Sequence, residues 1–402
     1  MTEIFKIAWR NLFRNPRRTA ASLLTVCLGA AALLIYQGFN SGIMNQYREN
    51  TIHGYYGFGQ VFPKGYYGKV FEQPWKMWIE NPEEAEKKLL SAPGVEQVFP
   101  RLSFYSFLAK GGITLGGRGE GVLPERENKF FDKMNFISGG DLKDESEIIL
   151  GKGLADSLDV KAGDTLTLLT QTINGQLNGA DLKVAGVFHM GIKAIDDGYY
   201  RLHLKQAQRL LDTQRVELFS LATTGVDHWD EVAKNINQAD PNLEPVRFEI
   251  LDKVYYQNSV DFLSAQFAFI RMIILLIVAL GIFNTIAVGL LERGGEIGAL
   301  RANGEKRSRL FKILLLENSF LGLFGGILGI LLALLCTKTV LASGIPMPPG
   351  PGITRQYLIF IEIQGSHYVQ ALLLPMFTAI IASCWPIFKL LRRSIPELLR
   401  ST

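Results

Sequence analysis

Cysteine is scarce in this 402-residue chain. Only Cys27, Cys336 and Cys384 occur, and none lies between Asn40 and Arg271. So long a segment without cysteine has neither a disulfide framework nor a thiolate metal site. The five histidines (His53, His189, His203, His228 and His367) are scattered, with no pair at ligand spacing, so no metal centre is expected. No G-x-x-x-x-G-K-[ST] occurs, so ATP hydrolysis by this chain alone is not expected. The glycine-rich GGRGEG at 116–121 precedes no helix and reads as a surface turn. The paired acids Asp196-Asp197 and Glu83-Glu84 read as a solvated turn and a helix start. No nucleophile stands beside a base, so catalytic, cofactor and metal sites are all expected to be none.

Charge is missing from four long stretches: Thr19–Phe39, Met272–Leu291, Ile313–Thr337 (Glu317 apart) and Tyr368–Phe388. About 20 helical residues cross the ~30 Å hydrocarbon core, and lipid offers bare backbone no partner, so all four are expected to be transmembrane helices. The short flanks are basic: Lys6, Arg10, Arg14, Arg17 and Arg18 before the first, Lys389, Arg392, Arg393 and Arg400 after the last. The stretch between the second and third carries Arg293, Arg301, Lys306, Arg307, Arg309 and Lys312, whereas the loop between the third and fourth has only Lys338 and Arg355. By the positive-inside rule both termini and the middle loop are cytoplasmic, and Asn40–Arg271 lies outside. That segment has 25 Lys and Arg against 31 Asp and Glu, a net −6 in a chain of +4. The cytoplasmic surplus suits anionic headgroups rather than nucleic acid. The first run ends in Tyr36, Gln37 and Phe39 without a small-x-small site, and reads as an uncleaved signal anchor.

The expected organisation is an amphipathic helix at 1–18 and spans at 19–39, 272–291, 313–337 and 368–388. An extracytoplasmic domain with stalks occupies 40–271, a cytoplasmic elbow 292–312, an outer loop 338–367 and a tail 389–402. In the large domain, ENPEEAEKKLLSAPGV places Asn81 to cap a helix that starts at Pro82 and ends at Pro93-Gly94. VEQVFP and LSFYSFLA read as two strands. EIILGKGLADSLDVKAGDTLTLL reads strand, helix, Gly163-Asp164 turn, strand, and Asn174-Gly175 and Asn178-Gly179 both carry hairpin signals. LKQAQRLLD and WDEVAKNINQA read as helices, VELFSLATTGV and PVRFEIL as strands. Mixed elements of this kind predict an α/β (α+β) domain with its own core. Tyr55, Tyr56, Phe58, Phe62, Tyr66, Tyr67, Phe71, Trp75 and Trp78 crowd its start, as packing or as an apolar-ligand surface. Ser41–Thr51 and Val254–Arg271 are expected to be helical stalks.

FKIAWRNLFRNPRR spaces Lys6, Arg10 and Arg14 on one helical face, and Asn15-Pro16 ends that helix before the first span. GLFGGILGILL overlaps two small-xxx-small patterns, Gly322/Gly326 and Gly325/Gly329, which let helix backbones approach closely in lipid. Gly29 to Ala32 and Gly281, Asn284 and Gly289 offer counterparts. Glu317 is either a functional intramembrane acid or, near the cytoplasmic face, one that snorkels or joins a local salt bridge. Pro375 and Pro386 can kink the fourth span, and GIPMPPGPG at 344–352 reads as a stiff connector braced on the outer domain. Between the second and third spans, LERGGEIGALRANGEKRSRLFK holds nine charged residues and four glycines. Its Glu292–Ala302 part is expected to form a short helix with Ile297 and Leu300 on one side, stopped at Asn303-Gly304 by a left-handed cap. The result is a slim elbow presenting Glu296 and Arg301.

ERGGEIGALRANG followed by LLLENSFLGLFGGILGILLA resembles the FtsX-type permease module of the MacB and LolC/LolE family of ABC transporters, and AWRNLFRNPRRT, PGVEQVFPR and KVAGVFHMG are similar to other parts of that family. The resemblance covers nearly the whole chain. It implies that the elbow is the coupling helix, with the Glu-x-Gly-x-x-Arg-Ala-x-Gly core on Glu296, Gly298, Arg301, Ala302 and Gly304. Asn303 departs from the family's usual apolar residue. The resemblance further implies a dimer of permease chains, identical or different, in a bacterial inner membrane, and a separate pair of ATPase subunits that bind ATP and Mg. The expected activity is mechanotransmission to the outer domain, for release of lipoproteins or other lipidic cargo, with lipid and a lipoprotein or periplasmic protein as further partners and no nucleic acid. Export of small amphiphiles or peptides in the MacB manner, and regulation of cell-wall hydrolases in the FtsX manner, are the alternatives.

Overall fold

In the computed structural model, which describes residues 2–14, 16–69, 72–348 and 356–399, every uncharged run lies within a longer helix. The helices are α1 (Thr2–Arg14), α2 (Pro16–Thr51), α3 (Pro82–Ser91), α4 (Pro124–Glu127), α5 (Lys152–Leu158), α6 (Lys193–Gly198) and α7 (Leu204–Leu211). They continue with α8 (Trp229–Ala239), α9 (Phe248–Leu251), α10 (Asn258–Glu292), α11 (Gly294–Ala302), α12 (Arg307–Lys338), α13 (Gly365–Arg392) and α14 (Ile395–Leu399). The strands are β1 (Gly59–Pro63), β2 (Val95–Lys110), β3 (Ile113–Val122), β4 (Phe136–Gly139), β5 (Glu147–Gly151) and β6 (Thr165–Gln171). They are followed by β7 (Leu177–Phe188), β8 (Tyr199–His203), β9 (Leu218–Thr223), β10 (Leu243–Arg247) and the short pair β11 (Ile345–Met347) and β12 (Tyr357–Ile359). The chain divides into a helical unit of Met1–Asn45, Val260–Pro346 and Leu358–Thr402, and an α/β body built on Gln46–Ser259.

In the helical unit, α2, α10, α12 and α13 are long and apolar enough to cross a membrane. The four glycines of α12 serve two neighbours. A methyl group on Gly322 would lie 2.7 Å from the Met376 Cα and one on Gly326 3.3 Å from Leu372, both on α13. A methyl on Gly325 would meet Val26 at 2.5 Å and one on Gly329 would meet Ala30 at 2.5 Å, both on α2. Positions i and i+3 are offset around a helix while i and i+4 nearly align, so two interleaved pairs make two faces. Close contact of this kind replaces the hydrophobic drive that lipid removes. Gln37 donates to Gln370 across α2 and α13 at 2.7 Å, and Gly29 lies against Val278 of α10. Helix α1 is distinct from α2: Ala8 and Leu12 bury with Ile313 and Phe320 of α12, while Lys6, Arg10 and Arg14 stay exposed. Asn15, proposed to end that helix, lies outside the described residues, as do Phe71, Arg400 and 349–352 of the proline-rich connector.

The body is built around strands that close on themselves. β2 pairs β3, β3 pairs β8, β8 pairs β5, β5 pairs β7, β7 pairs β6, and β6 returns to β2. The pairs β3–β8 and β5–β7 are parallel and the rest antiparallel. Closure removes the open edges that a sheet otherwise exposes. Leu108, Ile148, Leu150, Leu168, Leu182, Val184, Tyr200 and Leu202 bury within this part of the core. The other half of β2 runs beside β9, which continues through β1 to β10, and α3 and α8 contribute Leu89, Trp229, Val232 and Ile236 to the same core. VEQVFP and LSFYSFLA are thus one strand rather than two: β2 pairs β9 up to Arg101 and β3 from Leu102. Pro100 marks the exchange of neighbours, not a break.

Several other expectations change. GGRGEG is no surface turn but the middle of β3, with Gly117, Gly119 and Gly121 on one face at the strand period of two. A methyl on Gly119 would lie 2.4 Å from the Tyr200 ring, and one on Gly121 2.6 Å from Ala207, so ring and helix sit where side chains would be. Asn174-Gly175 makes the β6–β7 turn, with Gly175 at φ +81°, but Asn178-Gly179 lies inside β7, where the Asn178 amide donates to the last carbonyls of α7. PVRFEIL is half strand and half helical turn. Asp196 is not solvated: it is buried and accepts from the Met190 and Gly191 N–H groups and bonds His189. Asn81 occupies the N-cap of α3 without capping it through its side chain. Among the described early aromatics, Phe62 and Trp78 are buried, Phe58, Tyr66 and Trp75 pack partly buried against the core, and Tyr66 donates to Glu217.

Substituting Gly119→Val is expected to destabilise the chain by about 1–3 kcal/mol through overpacking against Tyr200. Gly116→Val, whose new side chain meets nothing, is expected to stay within about 0.5 kcal/mol. Thermal unfolding of the two variants in one detergent checks this, and equal losses would refute the packing account.

Candidate functional site

The elbow is held from below by charge and from the side by a helix. Arg293, at the N-cap of α11, is buried and points its guanidinium at Glu317 of α12, with Nη1 donating to both carboxylate oxygens at 2.7 and 2.9 Å. Its Nε reaches Glu296 at 3.4 Å. Glu317 also accepts from Asn11 of α1 at 3.3 Å, and Arg14 pairs with Glu296 at 3.1 Å. Glu317 is therefore the salt-bridge partner of the two readings, and it ties α1, α11 and α12 to one point. The members differ in weight. Arg14–Glu296 is largely exposed and contributes about 0–1 kcal/mol. Arg293 and Glu317 are both buried, so removing either leaves an uncompensated charge.

Gly298 faces α14. A methyl there would lie 2.9 Å from the Leu398 Cβ, and Leu398 is fully buried. Ile297 buries in the same cluster with Leu310, Leu314, Leu390 and Leu391. Arg301 does not project freely. Its Nη1 donates to the Arg393 carbonyl at the end of α13, at 2.6 Å. Helix α14 was missed in the sequence although its signal is present: Ser394-Ile-Pro-Glu397 is a capping box, with Glu397 accepting from the Ser394 N–H at 3.1 Å and Ser394 Oγ accepting from the Glu397 N–H at 3.4 Å.

The far end of α11 closes as expected. Gly304 has φ +88°, its N–H donates to Arg301, and the Glu305 N–H donates to Leu300, which together form a Schellman cap. Glu296, Gly298 and Arg301 thus lie on the side turned to the rest of the unit, while Ala302, Asn303 and Gly304 are exposed together with Ala299 and Leu300. Ile297 and Leu300, expected on one side, diverge: the first is buried and the second about half exposed. The elbow offers a narrow ridge of Ala299, Leu300, Ala302, Asn303 and Gly304, with the half-buried Arg301 held on the Arg393 carbonyl, and exposed Lys306 and Arg307 follow it. No group of His, Cys, Asp and Glu among the described residues could hold a metal ion.

Four long apolar helices with a braced elbow, in one chain with an α/β body, make the architecture of a multi-pass membrane subunit. Residues 268–395 match the FtsX-like permease C-terminal family, and residues 19–239 match the MacB-like periplasmic core domain family. The chain belongs to this family of ABC transporter permeases. It is 23% identical over 369 residues to the lipoprotein-releasing system transmembrane protein LolC of Neisseria meningitidis, covering 88% of this chain and 82% of that one. It is 22% identical over 419 residues to LolE of the same system in Haemophilus influenzae, covering 96% of each. The macrolide export ATP-binding/permease protein MacB of Sodalis glossinidius is 26% identical over 351 residues, covering 83% of this chain and 52% of that protein.

Glu317→Leu alone is expected to cost about 3–5 kcal/mol, because it strands a buried guanidinium. Adding Arg293→Met is expected to restore most of that stability, since an apolar pair of similar volume can replace a buried ion pair at little cost. A double-mutant cycle on detergent-solubilised chain measures the coupling, and additive losses would contradict it.

Proposed function

We propose that this chain is the membrane subunit of a mechanotransmitting ABC machine. Separate ATPase subunits, which bind ATP and Mg, grip the ridge at Ala299–Gly304 from the cytoplasm, and two permease chains work as a pair. The observation that carries the reading is the bracing of α11. A contact that must transmit force needs a rigid seat, and the buried Arg293–Glu317 pair and the α14 clamp supply one directly between two long helices. Helix α10 runs unbroken for 35 residues, roughly 50 Å at ~1.5 Å per residue, so displacement at its elbow end travels as a rigid rod rather than dissipating in a loop. Basic flanks favour a cytoplasmic elbow and cytoplasmic termini in a bacterial inner membrane, with the body outside.

In this reading Glu296, Gly298 and Arg301 seat the coupling helix, and Ala302 and Gly304 shape its contact face. The body squeezes or lifts cargo already beyond the inner leaflet. The relatives of the lipoprotein-releasing system, matched over most of both chains, favour a lipoprotein or another lipidic molecule as that cargo.

The double variant Glu296→Ala, Arg301→Ala is expected to leave membrane insertion intact while uncoupling ATP hydrolysis from transport. Leu300→Asp, on the open ridge, is expected to weaken ATPase binding tenfold or more, about 1.4 kcal/mol or above. Co-purification of the ATPase with each variant, alongside transport in reconstituted vesicles, checks both. Normal transport by both variants would end the coupling reading.

A further inference from the structure

Helix α1 carries more surface than its packing uses. Among its described side chains only Ala8 and Leu12 are buried, both against α12, with Ile4 partly buried beside them. Two other rows remain, each spaced four residues apart and so each on one side of the helix. Phe5, Trp9 and Phe13 form the first and are 54, 40 and 67% exposed. Lys6, Arg10 and Arg14 form the second and are exposed as well. Arg14 is engaged by Glu296, whereas Lys6 and Arg10 form no ion pair with any described residue.

The aromatic row continues a surface of α12. Phe5 meets Phe320 edge-on at 4.9 Å, and Trp9 meets Phe320 at 5.9 Å and Phe324 at 5.4 Å. Beyond Phe324 the same side of α12 runs on through Leu328, Leu331 and Leu335, all exposed. On a helix long and apolar enough to cross a membrane, an exposed leucine stripe faces acyl chains. Phe5, Trp9 and Phe13 extend that stripe at its elbow end, where aromatic rings settle at headgroup level. The basic row, about 100° further round the helix, then stands among the phosphates. A zwitterionic headgroup brings its own ammonium and offers Lys6 and Arg10 no net charge; an anionic one does. The helix is also wired to the elbow, because Asn11 donates to Glu317 at 3.3 Å and Arg14 pairs with Glu296 at 3.1 Å. Whatever holds α1 in place therefore acts on α11.

We propose that Lys6 and Arg10 hold the phosphate of an anionic phospholipid of the cytoplasmic leaflet, with Phe5, Trp9 and Phe13 against its acyl chains, and that the bound lipid pins α1 so that Asn11 and Arg14 steady the coupling helix. This rests on the reading that the four long helices cross a membrane with the elbow in the cytoplasm. The test places the full chain in lipid nanodiscs and makes two measurements. The first is quenching of Trp9 by acyl-brominated lipid, taken as the difference between the wild-type chain and Trp9→Phe. At equal mole fraction, brominated phosphatidylglycerol is expected to quench Trp9 at least threefold more strongly than brominated phosphatidylcholine, since each cation near an anionic surface is worth about fivefold. The second is amide hydrogen exchange in α11, expected to be at least threefold slower with phosphatidylglycerol present than in phosphatidylcholine alone. Lys6→Gln with Arg10→Gln leaves Ala8, Leu12, Asn11 and Arg14 in place. It is expected to abolish both differences without changing thermal unfolding in phosphatidylcholine, while Arg10→Lys, which keeps the charge, preserves them. Equal quenching by the two lipids, α11 exchange indifferent to phosphatidylglycerol, or full selectivity in the folded double variant would each overturn the proposal. Equal quenching leaves the membrane reading standing, whereas no quenching of Trp9 by either lipid overturns the membrane placement of α1 together with the proposal.

Discussion

The contact between Arg293 and Glu317 sets the geometry of the helical unit's elbow end. It is a buried ion pair in which one guanidinium nitrogen, Nη1, reaches both carboxylate oxygens while Nε turns to Glu296, so the guanidinium is held in direction as well as distance. Arg293 closes α10 and opens α11, so whatever orients its guanidinium orients the elbow. Glu317 sits one helical stretch into α12, and its second partner, Asn11, brings α1 to the same place. Three helices with separate hydrophobic reasons to be nearby thus share one polar reason to hold a register. Buried pairs of this kind add little net stability compared with apolar substitutes; their use here is specificity of arrangement.

The motif residues then divide by task. Gly298 has lost its side chain because Leu398 occupies that space, and Arg301 closes the same joint through a main-chain carbonyl. A pattern of charge and glycine between two oily helices therefore describes a seat, and the surface left for a partner is made of alanine, leucine, asparagine and glycine. A partner docking there in the proposed coupling role would depend on shape more than on charge.

Much of this was legible in the chain. Four uncharged runs, helix stops at Gly304 and Pro93-Gly94, and the interleaved glycines of α12 all follow from local rules that tertiary context did not override. The failures share a cause: they are places where a residue's meaning depends on a distant neighbour. The glycines of β3 read as a turn because nothing nearby shows that Tyr200 will lie over them, although their alternation at 117, 119 and 121 was a visible strand signal. Asn178-Gly179 reads as a hairpin until α7 supplies carbonyls for the Asn178 amide. Asp196 looks solvated until the backbone N–H groups of Met190 and Gly191 turn toward it. At the elbow, the cap at Gly304 is local and was foreseen, whereas the partners of Arg301 and Gly298 lie some ninety residues onward and could not be paired from spacing alone.

The two glycine faces of α12 have a mechanical consequence. With α13 seated at Gly322 and Gly326 and α2 at Gly325 and Gly329, the helix is keyed on two sides at once. Turning it about its own axis would drive ordinary side chains into backbone that now lies at contact distance. Its remaining freedoms are to tip, or to slide with both neighbours in tow. The trio α2–α12–α13 is therefore locked in one register, and α10 packs onto it through Val278 against Gly29 and through Ile282, Ile286 and Leu290.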